Sequence, residues 1–413
     1  MAMKQTQTKL FDFSDVGLDF CSGSKNLFPD RFKKMLSLGY NVQTVSSVSV
    51  AGNQVTLTYG GAHGYVERRV LKVNSGILAD INGGEFFIDS VTTNTVTLTI
   101  DDVPPSIPKG FATHVASLGY DLIYEKDHIH IYKFKHIDDT DLYLRLVFQN
   151  NTVYRNRIAV CIGKTADLLS GTITDPNSLS ETRGNTTPGT YAWEFTVDAN
   201  STYNNYSYSQ GYSLFGKGMV VGSLYHLAVL NWSASSAQHC RINGFFPTHC
   251  FNYSLLDYPI LFCGNFGNAS AAHNNNNGQL YNTVGSMFIG NVRVMLQNTL
   301  STTTRPQQCA PWATALNSFL PTSLDNFNTT ACGMVLNIFE YGTLQFIGVI
   351  SGGIYSCGYY NQSGAPLISP SSLPLITTDI DFGGDILIHA ISVNAAANSG
   401  YYAFPVEEIK IVS

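Results

Sequence analysis

The chain has 413 residues, enough for two or three domains with buried cores. Only 13% are charged and the net charge is −6, which excludes a basic face that follows a phosphate backbone, so no direct nucleic-acid binding is expected. No apolar run approaches a membrane span, and the opening residues MAMKQTQTKLFDF lack the apolar core of a secretory signal, so export by that route is not expected.

Residues 1–46 carry Leu10-Phe11-Asp12-Phe13, a small-residue break at Cys21-Ser22-Gly23-Ser24, and one helix. From Pro29 to Leu38 the apolar residues Phe32, Met35, Leu36 and Leu38 fall near helical spacing, with Arg31, Lys33 and Lys34 opposite. Pro29 suits a first turn and Gly39 a C-cap.

From 47 to 105 the chain reads as a small β barrel or sandwich without visible chemistry. Val48 and Val50, then Val55, Leu57 and Tyr59, alternate with polar residues at period two. Val70, Leu71 and Val73 predict a third strand, Phe86-Phe87-Ile88 a fourth, and Val96, Leu98 and Ile100 a last one. Turns are marked by Gly52-Asn53, Gly60-Gly61, Asn74-Ser75-Gly76 and Asn82-Gly83-Gly84, and Pro104-Pro105 closes the unit.

Residues 106–300 predict a β-sandwich core with long loops. His128 to Tyr132 and Leu142 to Phe148 alternate cleanly, and further strands are expected at Tyr191–Val197, Met219–Trp232, Gln238–Phe246, Pro259–Cys263 and Phe288–Met295. Between them, 167–189 reads as a long surface loop with a short helix near Leu168, and 271–278, AAHNNNNG, as a low-complexity tip. Residues 301–413 form a C-terminal β region with Pro306, Pro311 and Pro321, strands near Met334–Phe339, Leu344–Ile350, Ile386–Val393 and Tyr401–Ile411, and a rigid connector from Ser369 to Pro374. The fold class is mainly β: several small sandwich or barrel domains with one short N-terminal helix.

AHGYVERRVLKVNS followed by ADINGGEFFIDSVTTNTVTLTI resembles a small β module of tail and baseplate-type virion structural proteins of tailed bacteriophages. In that family the module follows a helical segment ending in a phrase like SLGY and precedes a core opening on THVASLGYDLIYEKDHIHIYKF. Here those phrases are Ser37-Leu38-Gly39-Tyr40, then Ser117-Leu118-Gly119-Tyr120 and Asp141-Leu142-Tyr143-Leu144-Arg145. The resemblance covers the first third to half of the chain. It implies a virion protein, assembled in the bacterial cytoplasm, that contacts other tail, baseplate or neck proteins and further copies of itself.

Residues that could carry chemistry are few. His128-x-His130, with His136 nearby, could hold a transition metal where chains meet on an axis, but no carboxylate or thiol completes the set, and polar positions on an exposed strand face are the favoured reading. Asp138-Asp139-x-Asp141 lacks the glycine and glutamate of a calcium loop and reads as a solvated turn. Asp379-x-Asp381 and Asp385 are carboxylates near Gly383-Gly384 of the kind a glycosidase pairs, with nothing visible to raise one pKa. Cys21, Cys161, Cys240, Cys250, Cys263, Cys309, Cys332 and Cys357 include no CxxC and read as buried free thiols. Trp193, Trp232 and Trp312 suit core and interface packing, or sugar stacking. The sequons at Asn231, Asn252 and Asn328 follow from composition, and no GxSxG, HExxH, P-loop or dinucleotide fingerprint occurs.

No catalytic, cofactor-binding or metal-binding residue is assigned. The sequence reading is a non-enzymatic structural component of a phage tail, baseplate or neck. Its rivals are a receptor-binding adhesin touching host glycan through tips such as 271–278, and a polysaccharide depolymerase using Asp381 or Asp385. With 23 Tyr, 24 Phe and so few charges, the surface is either covered by neighbouring subunits or that of a polar β protein standing alone.

Overall fold

The computed structural model describes residues 6–74, 81–148, 157–184, 186, 191–196, 201–235, 240–265, 286–296, 331–359, 366–379, 384–391, 400–406 and 408–409. The tip at 271–278, Pro306, Cys309, Pro311, Trp312, Pro321, Asn328, Asp381 and Gly383 lie outside the described residues. The described chain is mainly β.

Six strands close a barrel in the order Tyr40–Ala51, Gln54–Tyr59, Thr95–Thr99, Glu85–Val91, Val70–Asn74 and Ala112–Val115, the last returning to the first. Successive side chains of a strand alternate faces, so Val55, Leu57 and Tyr59 enter the interior with Leu71, Val73, Ile88, Val96 and Leu98. Val50 lies opposite Val55 near the end of the Tyr40–Ala51 strand and is exposed there. The barrel strands thus begin before and end after the 47–105 stretch.

The two SLGY phrases meet where the chain enters and leaves this barrel. Leu118 N–H donates to Met35 O and Tyr120 N–H to Leu36 O, both at 2.9 Å. Gly39 has φ +77°, and a Cβ there would lie 2.4 Å from the Val115 carbonyl oxygen, so only glycine makes this turn.

A 15-stranded antiparallel sheet forms the body. Its main path runs from Thr248–Cys250 through Phe346–Ile350, Asn337–Glu340, Val292–Leu296, Ser286–Ile289, Ile260–Asn265, Tyr191–Glu194, Arg157–Gly163, Asp141–Val147 and Ile129–Lys135 to Asp121–Lys126. A branch leaves Ile260–Asn265 through Cys240–Phe246, Leu227–Trp232 and Met219–Gly222 to Lys9–Asp12. The single strand expected over Met219–Trp232 is a hairpin, because Ser223 N–H bonds His226 O at 3.0 Å and turns the chain. Five strands, Ala331–Met334, Tyr355–Tyr359, Gly400–Pro405, Gly384–Ile391 and Leu375–Asp379, make a further sheet, and Thr6–Gln7 pairs with Glu408–Ile409. One hydrophobic cluster runs from Val55 and Leu98 of the barrel to Leu144 and Phe245 of the body, so the barrel shares its core with the sheet.

The N-terminal helix is α over Phe28–Lys33 and widens into a π turn over Lys34–Leu38. Phe28, Phe32, Met35 and Leu36 are buried, with Phe32 edge-on to Phe195. Leu38, counted on the apolar face at 3.6 residues per turn, is exposed instead, because the wider turn rotates it outward. A second helix, Tyr208–Phe215, was not legible as apolar periodicity. It starts where Gln210 Oε1 accepts the Ser207 N–H at 3.0 Å.

The expected surface loop at 167–189 is corrected over its described part. Ala166–Asp167 pairs with Thr172–Ile173, Leu168 lies in the turn between them, and Ile173, Asp175, Ser178, Leu179 and Thr182 are buried. Polar sequence goes inside here because its groups are satisfied. The buried Arg145 guanidinium donates to Gly171 O at 2.6 Å and Thr182 O at 3.1 Å, and the Asp175 carboxylate accepts the Lys164 N–H and the Tyr258 hydroxyl.

Candidate interaction surface

The candidate residues of the sequence are dispersed. His130 is buried, not exposed: its ring lies edge-on to Phe148 at 4.8 Å, and Nδ1 is 2.8 Å from the Tyr132 hydroxyl. Phe32 packs against Phe148 from the helix, covering the strand face that the alternation left open. Burial pushes the His130 pKa down to about 4. His128, half-buried just before the strand, shifts the same way by desolvation. His136 lies in a turn, Nδ1 3.1 Å from Asp138 and Nε2 4.0 Å from Asp257.

Asp138 accepts the Thr140 hydroxyl at 2.6 Å and the Thr140 N–H at 3.0 Å, which pull its carboxyl down to about 2 and make the expected turn. Asp139 accepts the Tyr225 hydroxyl, and Asp141 pairs with Lys135 at 2.6 Å. Among the described residues no three of His, Cys, Asp and Glu gather as a metal-binding group.

Asp379 and Asp385 belong to adjacent strands, with Asp379 opposite Gly384. The Asp385 carboxylate accepts Arg68 Nε at 2.5 Å and the Thr378 hydroxyl at 2.9 Å, so it ties the barrel to the five-stranded sheet. Trp193 and Trp232 are fully buried, each indole N–H donating to a backbone carbonyl: Phe262 O at 3.0 Å and Leu373 O at 2.8 Å. This overturns sugar stacking for these two rings. Cys21, Cys161, Cys240, Cys263 and Cys357 are buried thiols outside any disulfide, and Cys250 is half-buried. Cys240 and Cys263 lie on neighbouring strands, while Cys250 departs to the far end of the sheet.

Two buried polar joints are structural. Arg69 donates from Nε and an Nη to the two Asp15 oxygens, each at 2.8 Å, and the Tyr40 hydroxyl adds a third bond at 2.6 Å. Arg241 pairs with Glu194 at 3.0 Å, and Asn243 bonds the Glu194 carbonyl. Both pairs are satisfied inside the protein and present nothing to a substrate.

What faces outward differs at the two ends of the main sheet path. A strand edge exposes unpaired N–H and C=O groups, and proteins blunt such edges with charge. The Asp121–Lys126 edge follows that rule: Asp121 pairs with Lys133 at 3.3 Å and Glu125 with Lys33 at 2.7 Å. The opposite edge, Thr248–Cys250, carries no Asp, Glu, Lys or Arg and runs into Phe251, Tyr253 and Leu255, all exposed. Phe251 meets Phe346 with ring centres 6.0 Å apart, and Phe346 meets Phe339 at 5.7 Å. The neighbouring turn adds exposed Tyr341 and Leu344, with the Arg293 guanidinium 3.9 Å from the Tyr341 ring centre.

This surface is held in shape. The Glu340 carboxylate accepts the Thr343 hydroxyl at 2.7 Å and the Gly342 and Thr343 N–H groups at 2.8 and 2.5 Å, which lowers its pKa and locks the turn. Asp257, at the end of the aromatic loop, pairs with Lys164. A contiguous exposed apolar patch of this kind marks a binding surface. Sequence reading missed it. The only local signal was the density of large side chains in FNYSLLDY, 251–258.

No family model matches the sequence, and no curated protein matches it. Among solved structures, the chain is similar to the phage phi92 endosialidase at 9% identity and TM-score 0.14, over 90% of this chain and 52% of that one. The chain therefore spans about half the length of that protein, and a likeness so slight carries no argument about fold or function.

Proposed function

We propose that this chain is a non-enzymatic structural component of a bacteriophage tail, baseplate or neck, carried in the virion, where it assembles through β-rich interfaces with itself and other virion proteins. One observation carries the assembly role: the exposed aromatic patch of Phe251, Tyr253, Leu255, Tyr341 and Phe346 at the Thr248–Cys250 end of the sheet, in contrast to the Asp121–Lys126 edge, which is blocked by ion pairs. The tail-type setting rests on the sequence resemblance of the first third to half of the chain. The low share of charge fits a surface that neighbours cover.

In this role the interactions are physical rather than chemical. Strand edges and aromatic faces bury against partners and set register, while the barrel between the two SLGY phrases serves as an attachment part. A receptor-binding role is the second reading, favoured by the exposed rings of Tyr253 and Tyr341, which suit stacking on sugar faces. It requires glycan binding by the isolated chain. A depolymerase would use Asp381 or Asp385; Asp381 lies outside the described residues, and the two Asp385 oxygens accept bonds from Arg68 and Thr378.

The test is capture of identified tail proteins from disrupted virions of the source phage by the purified chain, with glycan binding measured in parallel. A second preparation replaces residues 41–116 by a short glycine linker between the two SLGY phrases. The expected result is capture by the full chain, loss of incorporation on barrel removal, and no glycan binding. Normal particle incorporation without the barrel would end its role as an attachment part.

A further inference from the structure

We propose that the hairpin tip at Leu168 and Leu169 seats on the aromatic patch of a second copy of this chain, with the reverse contact made about a two-fold axis. The inference rests on the assembly reading and names one partner of that same patch.

The tip is apolar, exposed and held in shape. Leu169 is 92% exposed and Leu168 47%. Their turn joins Ala166–Asp167 to Thr172–Ile173, and the Asp167 carboxylate accepts the Leu169 N–H at 2.9 Å and the Ser170 hydroxyl at 2.6 Å. Asp167 O accepts the Gly171 N–H at 2.9 Å, and the buried Arg145 guanidinium binds Gly171 O. Gly171, at φ +68°, lies so close to Tyr124 that a Cβ would come within 2.4 Å of the ring. These bonds keep two leucines in water, where their apolar surface gains most from a partner. The Glu340 turn is locked in the same way, so little order remains to be imposed on either surface when they meet.

Tip and patch flank one junction. Lys164, two residues before the hairpin, pairs with Asp257 at the end of the aromatic loop, and its ammonium lies 4.8 Å from the Tyr258 ring centre. A two-fold axis passing there sets each tip against the other copy's patch and closes the pair.

Charge and area both fit an identical partner. Asp167 is the one charged residue from Ala166 to Ile173, and the Arg293 guanidinium lies against Tyr341 in the patch. A carboxylate beside two leucines thus faces a guanidinium beside aromatic rings. Glu340, the acid of the patch, is engaged by its own turn. Phe251, Tyr253, Leu255, Tyr341, Leu344 and Phe346 offer on the order of 600 Å² and the two leucines about 250 Å², close to the roughly 800 Å² per partner of a standard interface. Patch against patch alone would reach only the lower bound and leave Leu169 in water.

The experiment is sedimentation velocity of the full chain across the micromolar range, with Leu169→Asp, Tyr253→Lys and an equimolar mixture of the two variants. Both side chains are exposed, and circular dichroism confirms the fold of each variant. The expected result is a dimer whose dissociation constant rises at least tenfold in either variant alone. The mixture should associate more tightly than either, because a mixed dimer keeps one intact tip-on-patch contact and sets the new aspartate against the new lysine. A monomer at every concentration, a dimer indifferent to Leu169→Asp, or a mixture no tighter than its components overturns the proposal. Capture of tail proteins by a strict monomer rejects this pairing and leaves the assembly role standing; a dimer that depends on tip and patch but captures none supports the pairing and counts against the tail role.

Discussion

The Ser117 hydroxyl donates a 2.8 Å hydrogen bond to the Ser37 carbonyl oxygen, joining two copies of the tetrapeptide SLGY across the base of the barrel. Both glycines have positive φ, +77° at Gly39 and +89° at Gly119, so each phrase ends in a turn that redirects the chain. Gly39→Ala places a Cβ against the Val115 carbonyl in a backbone region closed to alanine, and the expected loss is about 3 kcal/mol of stability. Gly52→Ala, at φ +66° with open space around it, should lose only about 1 kcal/mol. Urea unfolding of the two variants checks the contrast, and equal losses would remove the special standing of Gly39.

The Asp15–Arg69 pair joins the N-terminal segment to the barrel with both side chains nearly inaccessible. Removing one partner leaves a buried charge alone, so Asp15→Ala and Arg69→Ala should each lose about 3–5 kcal/mol. The double variant should lose clearly less than the sum. Additive losses in a double-mutant cycle would show that the two groups do not act as a pair.

Acid should unfold the protein through buried histidines. Desolvation lowers His226 to about 4 and His389 to about 3, so both are neutral in the folded chain. A folded pKa below the unfolded value near 6.5 gives stability that is full above about pH 6.5 and is lost as pH falls toward the folded values. Each histidine should lose on the order of 2 kcal/mol by about pH 5. The urea midpoint measured from about pH 7.5 to about pH 5 should therefore fall, and His389→Gln should flatten part of the slope. A midpoint independent of pH contradicts the burial of both rings.

The thiols should be silent until the protein unfolds. Burial pushes Cys161 up to about 11, and Cys21, Cys250 and Cys263 also move up by desolvation. Among the six cysteines whose side chains are described, iodoacetamide on the native chain should reach only half-buried Cys250, and that slowly. Peptide mass mapping reads this directly. All six should label after unfolding without reductant, and a pair that labels only with reductant would reveal a disulfide.

The sequence by itself determined the β class, five of the six barrel strands and the first helix, because these rest on local rules. Alternation at Val55, Leu57 and Tyr59 needs only a pleated strand with one wet face, and Pro29 and Gly39 mark helix ends whatever surrounds them. The turn at Asp138 was legible for the same reason, since its partner Thr140 is two residues away. Tertiary structure decided everything that depends on distant partners. His130 was expected on an open face and is buried because Phe148 and Phe32 cover it. The polar stretch after Asp167 goes inside because Arg145, far off in sequence, binds its carbonyls. Trp193 and Trp232 pack inside because Phe262 and Leu373 supply carbonyls for their N–H groups. The aromatic patch exists only because pairing with Phe346–Ile350 brings Phe251 beside Phe346, a neighbour relation set by strand order, which no local periodicity encodes.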